Sequence, residues 1–171
     1  MNVNVYNRFA SLLALLALAT AVLLLIPGVR RFAKETGADA VFPWVALTVA
    51  VLSTAGSLTY AIAYDFTPCE LCWYQRITMY PLVVILGVGA YLKESVRRFA
   101  LPLTITGMGL AIYHYLLQTF PNMTSSVCSV DVPCNSKYVN EFGFISIPFM
   151  ALCGFIAITA LLLSHRYEET V

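Results

Sequence analysis

Five long apolar runs are the strongest constraint on how this chain can fold. Each run is about 20 residues long, which is the length of helix that crosses the hydrocarbon core of a bilayer. Hydrophobic residues make up 60% of the 171 residues and charged residues only 11%, whereas soluble domains carry roughly 25% charged residues. The sequence therefore predicts an all-α integral membrane protein, with a four-helix transmembrane core and one extra N-terminal transmembrane helix. The runs cover residues 10–27, 41–63, 74–92, 99–120 and 144–163.

The first run has two interpretations, a cleaved signal peptide and a retained transmembrane helix. Signal peptides begin with basic residues, but only Arg8 precedes this run, and Arg30 and Arg31 follow it. We therefore expect the helix to be retained. The expected domains are an N-terminal helix with its following loop, a four-helix domain and a polar tail, over residues 1–40, 41–164 and 165–171.

Four of the five cysteines form two pairs outside the apolar runs. Cys69 and Cys72 lie just before the third run, and Cys128 and Cys134 lie in the longest loop. Paired cysteines that face an oxidising compartment form disulfides, and a Cys-x-x-Cys motif can lower the pKa of a thiol. The residues alone leave three interpretations open: redox-active pairs, structural disulfides, or a four-cysteine zinc site.

Two polar residues interrupt the apolar runs near these cysteines. A charged side chain such as Arg76 is costly in lipid and suggests a function or a partner. If residues 72–76 are helical, Arg76 lies one turn beyond Cys72 and can stabilise its thiolate. The alternatives are an interfacial arginine that reaches the headgroups and, for His114, a hydrogen-bonded group between helices. Thiols and a cation at a membrane boundary suggest electron transfer to a molecule in the lipid.

Residues 69–76 read Cys-Glu-Leu-Cys-Trp-Tyr-Gln-Arg, and they resemble the signature of the disulfide bond formation protein B (DsbB) family of thiol:quinone oxidoreductases. Three further motifs resemble the same family and occur in the same order. They are residues 114–121, the cysteines at 128 and 134, and residues 142–148. The resemblance covers about 41–163 and leaves out the first apolar run.

The resemblance implies a function and a role for each cysteine. A reduced extracytoplasmic thioredoxin-like (DsbA-like) protein would attack a Cys128–Cys134 disulfide at Cys128, and Cys134 would exchange with Cys69 of a Cys69–Cys72 disulfide. Cys72 would face a membrane quinone, menaquinone or ubiquinone, which accepts the electrons and so supports disulfide bond formation in other proteins. The quinone would bind near Cys72, Arg76, His114 and Trp73.

The loop cysteines depart from the best-known family pattern because only five residues separate Cys128 from Cys134. This short spacing resembles variants from Gram-positive bacteria and archaea. Two other functions stay open. A vitamin K epoxide reductase-like enzyme also joins a quinone to a Cys-x-x-Cys pair, but its loop cysteines precede that pair. A membrane scaffold with structural disulfides is the non-enzymatic alternative.

The basic residues predict an orientation. Seven of the ten Lys and Arg residues lie in 28–40, in 93–98 and in the tail, and loops rich in these residues stay in the cytoplasm. The sequence thus predicts a multi-pass protein of a prokaryotic plasma membrane, with both cysteine pairs on the outer face and the C-terminus in the cytoplasm. The formal net charge of +1, without a basic stripe, excludes a nucleic-acid partner.

Overall fold

Helices make up most of the part of the chain that the structure describes. The structure is a computed structural model, and it describes residues 2–120, 123, 127–129 and 132–165. Five helices in these ranges are long and apolar enough to cross a membrane, which confirms the predicted all-α membrane fold. The helices are α1 (Val3–Leu25), α2 (Pro27–Glu35), α3 (Phe42–Ile62), α4 (Glu70–Leu92), α5 (Arg97–Thr119) and α6 (Ile147–Ser164), with a 3-10 turn at Ala38–Val41.

Helices α3 to α6 form a ring around one apolar core. Each helix packs against the next, and α6 closes the ring on α3. Leu82, Leu86 and Ile158 are completely buried in the centre. A Cβ atom at Gly107 of α5 would lie 2.3 Å from the ring of Phe155 on α6. Glycine at this position therefore allows α5 and α6 to approach closely.

The N-terminal helix α1 is packed into the same bundle. It lies along α6 and buries Asn7, Ser11, Ala14, Ala21 and Leu24 on one face. Its contact with α3 is partly polar, because the Tyr60 hydroxyl donates to Asn7 Oδ1 at 3.0 Å. The predicted domain boundary after residue 40 stays a prediction.

The third long helix begins earlier than the apolar run predicted. α4 starts at Glu70, and Cys69 is its N-cap residue with an extended backbone. The carboxylate of Glu70 lies in the first turn, where the helix dipole favours negative charge. The predicted loop 64–73 is therefore shorter, and Cys72 lies on the helix.

Polar contacts join the helices at the end of the bundle opposite to Cys69. Arg97 Nε donates to the Leu162 carbonyl at 2.7 Å, and Arg30 Nη2 donates to the Leu163 carbonyl at 3.2 Å. The basic loops and the cysteine pairs thus lie at opposite ends of the bundle. The predicted tail beyond residue 165 and parts of the loop 121–143 lie outside the described residues.

Candidate functional site

The two thiols of the Cys-x-x-Cys motif are in contact at the start of α4. Their Sγ atoms are 3.1 Å apart, and both are free thiols. Cys69 is only 5% exposed and Cys72 is half-buried. Because a disulfide bond is about 2.05 Å long, a small movement would join them. The predicted Cys69–Cys72 disulfide stays a prediction.

The loop cysteines lie next to the Cys-x-x-Cys pair. Cys128 and Cys134 are joined by a disulfide, with their Cα atoms 5.8 Å apart. Cys134 is buried, whereas Cys128 is only half-buried. Cys134 also packs in the same small apolar cluster as Cys69, and Cys72 contacts that cluster. Cys128 also packs against this cluster, so the loop holds Cys134 beside the motif and leaves Cys128 the more exposed of the two.

His114 of α5 connects the motif to the loop. Its side chain is 1% exposed, and its Nε2 atom lies 3.7 Å from Cys69 Sγ and 3.1 Å from the Cys134 carbonyl oxygen. Its Nδ1 atom lies 3.0 Å from Gln75 Nε2. With that amide nitrogen as the donor, Nδ1 accepts and Nε2 carries the proton. His114 can then donate to the Cys134 carbonyl and to a thiolate at Cys69.

The surroundings of Cys69 favour its thiolate form. The hydrogen bond from Cys72 is the largest cause that lowers the pKa of Cys69, and the hydrogen bond from His114 lowers it further. Burial acts in the opposite direction, because it disfavours a charged sulfur. The hydrogen bonds prevail, so the pKa of Cys69 lies below that of an ordinary thiol.

Arg76 lies on the side of α4 that faces α3. Its Nε atom donates to Ser57 Oγ at 2.9 Å, and its Nη2 atom donates to the Ser57 carbonyl at 3.0 Å. The guanidinium carbon is 5.1 Å from the centre of the Trp73 ring, within the range of a cation–π contact. The structure thus brings Arg76 and Trp73 together, whereas His114 contacts α4 on the side that faces α5.

A cavity of about 20 Å³ lies beside the two thiols. Its volume is enough for one water molecule and is much smaller than the roughly 300–1,000 Å³ of pockets for organic ligands. On its wall, Gln118 Nε2 donates to the Ser136 carbonyl at 3.1 Å. The Gln118 Oε1 atom is buried and lacks a hydrogen-bond partner among the described residues. The cavity is lined by Cys69, Cys72, His114, Gln118, Pro133, Ser136, Tyr138, Val139, Ile147 and Pro148.

Two residues of this site were not assigned from the sequence. Gln75 lies three residues after Cys72, on an adjoining part of the helix surface, so its position was a usable signal. Ser57 gave no signal, because serine in a transmembrane helix commonly bonds its own backbone. The predicted contacts of Arg76, His114 and Trp73 with a quinone stay predictions.

Comparison with known proteins identifies the family. The family model described as disulfide bond formation protein DsbB matches residues 39–165. Disulfide bond formation protein C of Bacillus subtilis is 46% identical over 132 residues, which cover 76% of this chain and 96% of that protein.

Two further relatives give the same result. The probable disulfide formation protein of Oceanobacillus iheyensis is 53% identical over 70% of this chain and 85% of its own length. The probable disulfide formation protein C 2 of Bacillus anthracis is 44% identical over 73% of this chain and 90% of its own length. No solved structure matches the chain. The chain therefore belongs to the DsbB family of disulfide bond formation proteins and is a multi-pass membrane oxidoreductase.

Proposed function

We propose that this protein oxidises a reduced extracytoplasmic dithiol protein of the thioredoxin-like (DsbA-like) class and passes two electrons to a membrane quinone. The observation that carries the proposal is the shared cluster of the two cysteine pairs. Cys134 of the loop packs with Cys69 of the motif, and His114 contacts both residues. Neighbouring pairs can exchange thiols without a large movement of the loop.

The first exchange takes place at the loop. A thiolate of the partner attacks the Cys128 sulfur, the Cys128–Cys134 bond breaks, and Cys134 leaves as a thiolate. The second thiol of the partner then displaces Cys128. The partner leaves with a disulfide and the loop holds two thiols. Cys128 is the better target for the partner because it is more exposed than Cys134.

The second exchange takes place between the loop and the motif. Cys134 attacks Cys69 of the Cys69–Cys72 disulfide, and Cys72 leaves as a thiolate. Cys128 then attacks Cys134, which closes the loop disulfide again and releases Cys69 as a thiolate. The arrangement described above, with a closed loop disulfide and two free thiols at the motif, corresponds to the product of this exchange.

Arg76 and Trp73 are the residues that we expect to hold the quinone. Trp73 is 51% exposed and Ile77 one turn later is 62% exposed, so this face of α4 is apolar and open to lipid. Two of the five N–H groups of Arg76 donate to Ser57, which leaves others for an oxygen of the quinone. The small cavity beside His114 does not fit a quinone ring, so we place the site on the lipid-facing side. A bound quinone supplies the oxidising power, and Arg76 stabilises negative charge beside Cys72.

The proposed location is the plasma membrane of a prokaryote, with both cysteine pairs on the outer face and the C-terminus in the cytoplasm. The position of the basic residues supports this orientation. The positive residues Arg30 and Arg97 lie at the end of the bundle opposite to the cysteines, and positive loops stay in the cytoplasm.

The test uses the purified full-length protein in detergent, with a reduced thioredoxin-like protein as donor and a soluble quinone analogue as acceptor. Loss of quinone absorbance is expected to require Cys69 and Cys72 and to become slower in Arg76→Ala. Cys153→Ser is the matched control, because Cys153 is a buried cysteine of α6 outside the site. Near-normal quinone reduction by Cys72→Ser would contradict the proposal.

A further inference from the structure

We propose that the reduced Cys69–Cys72 pair, together with His114, forms a binding site for one thiophilic divalent cation such as Zn²⁺ or Cd²⁺. One potential ligand atom from each of the three residues lies within 4.8 Å of the other two. Cys69 caps α4, Cys72 lies in its first turn and His114 lies on α5; Cys69 and His114 are buried and Cys72 is half-buried. Two cysteines and one histidine are a ligand set that zinc uses in proteins.

The two distances that involve Cys69 Sγ are close to those of a tetrahedral metal site. With Zn–S bonds of about 2.3 Å and Zn–N bonds of about 2.05 Å, the ligand atoms of a tetrahedron lie about 3.8 Å apart for two sulfurs and about 3.6 Å apart for sulfur and nitrogen. Cys69 Sγ and His114 Nε2 are already 3.7 Å apart. The two sulfurs are 3.1 Å apart, so they need to separate by less than 1 Å.

The cavity beside the thiols supplies the fourth position. All three ligand residues line it, and its volume of about 20 Å³ accommodates one water molecule. The Gln118 Oε1 atom is buried on the same cavity wall without a hydrogen-bond partner among the described residues. A metal-bound water can donate to this oxygen, which satisfies a buried acceptor.

Gln75 can support His114 as a metal ligand. Nε2 must have a free lone pair to bind a metal, so the proton moves to Nδ1. The Gln75 amide group is 3.0 Å from Nδ1, and rotation of the amide would turn its oxygen toward Nδ1–H as the acceptor. Such an outer partner fixes the tautomer and the ring orientation of a ligating histidine. Two thiolates also neutralise the charge of the cation, which lowers the cost of holding it in the interior.

The site depends on the redox state of the motif. A Cys69–Cys72 disulfide has no thiolate to offer, so only the reduced protein binds the cation, and binding releases the thiol protons. A bound cation also occupies the two sulfurs that donate electrons, and it is therefore expected to inhibit turnover. That consequence rests on the proposed function, whereas binding itself does not.

Titration of the full-length protein with Cd²⁺ tests the site without a quinone or a partner protein. The motif is first reduced, the reductant is removed without oxygen, and thiolate-to-cadmium charge-transfer absorption is followed in the ultraviolet. We expect one Cd²⁺ per reduced chain and none per oxidised chain. The oxidised protein has the same sequence, so the comparison does not depend on how a variant folds. Absence of the charge-transfer band in reduced, folded protein would overturn the proposal.

Variants locate the ion. Cys72→Ser is expected to remove the charge-transfer band. Gln75→Leu is expected to weaken Cd²⁺ binding about 10–100-fold, which is the usual effect of removing a hydrogen-bond partner of a metal ligand. Cys153→Ser and the double variant Cys128→Ser/Cys134→Ser should both retain one Cd²⁺ per chain. Loss of binding in the double variant would show a site made by the loop cysteines and would overturn the proposal. A protein that reduces quinone but does not bind Cd²⁺ refutes only the metal site.

Discussion

Replacement of His114 by leucine is expected to raise the pKa of the Cys69 thiol. His114 Nε2 lies 3.7 Å from Cys69 Sγ. Among the contacts that lower the pKa of Cys69, the one with His114 ranks second, after the hydrogen bond from Cys72. A hydrogen bond to a charged group contributes about 1.5–3 kcal/mol, and about 1.36 kcal/mol corresponds to one pKa unit. Because the contact to sulfur is long, we expect the lower figure, a rise of about one unit.

The assay measures the rate of Cys69 alkylation by iodoacetamide as a function of pH, with the site identified by mass spectrometry. The background protein carries Cys128→Ser, Cys134→Ser and Cys153→Ser, so that only the motif reacts. At pH values below both pKa values, the rate in His114→Leu should fall about tenfold, because the thiolate fraction falls by that factor.

Substitutions of Cys72 calibrate the measurement. Cys72→Ala removes the largest cause of the lowered pKa, so it should raise the pKa of Cys69 more than His114→Leu does. Cys72→Ser keeps a hydroxyl donor and should raise it less than Cys72→Ala. An unchanged pKa of Cys69 in a folded His114→Leu protein would refute the assignment of His114 as a stabiliser of the thiolate.

Three further predictions concern stability and quinone binding. Gly107→Ala forces a Cβ atom against Phe155 at 2.3 Å and should lower the unfolding free energy by about 1–3 kcal/mol. Gly109 has open space around it, so Gly109→Ala should raise the unfolding free energy by about 0.5–1 kcal/mol. Melting temperatures that change in opposite directions would confirm both. The pKa of Cys69 is lower in the folded than in the unfolded protein. The Cys69 thiolate therefore stabilises the fold fully above the unfolded thiol pKa, and this stabilisation is lost as the pH falls through the folded pKa. The unfolding free energy of the reduced protein should therefore fall over this pH window relative to that of the oxidised protein. Denaturant titrations at several pH values measure it, and an equal dependence on pH in both forms would contradict the prediction. Arg76→Lys keeps the charge but cannot reproduce the guanidinium fork toward α3, so it should raise the KM for the quinone analogue more than it lowers kcat.

The bundle could be predicted from the sequence because the length of an apolar run is a direct physical requirement of the bilayer. The helix ends could not be predicted as well. The apolar run predicted for the third helix began at Tyr74, but the structure begins the helix at Glu70. Backbone hydrogen bonds and the helix dipole tolerate polar residues in the first turn, and a count of apolar residues does not detect this.

Part of the candidate site could also be predicted, although mainly through the resemblance. The two cysteine pairs and His114 were assigned to the site from the sequence, and the structure brings them together. The hydrogen bonds of Arg76 to Ser57 could not be anticipated, because they depend on the rotation of α4 relative to α3. Rotation follows from packing across the whole interface, and no local pattern encodes it.

The hydrogen bonds from α5 to the loop have a kinetic consequence. His114 and Gln118, one helical turn apart, contact the carbonyl groups of Cys134 and Ser136, which are two residues apart in the loop. These two anchors do not involve the Cys128–Cys134 bond, so they persist when that bond opens. The Cys134 thiolate then stays near Cys69 at an effective concentration of millimolar or higher. Exchange within one molecule is thereby favoured over reaction with thiols that diffuse in from outside.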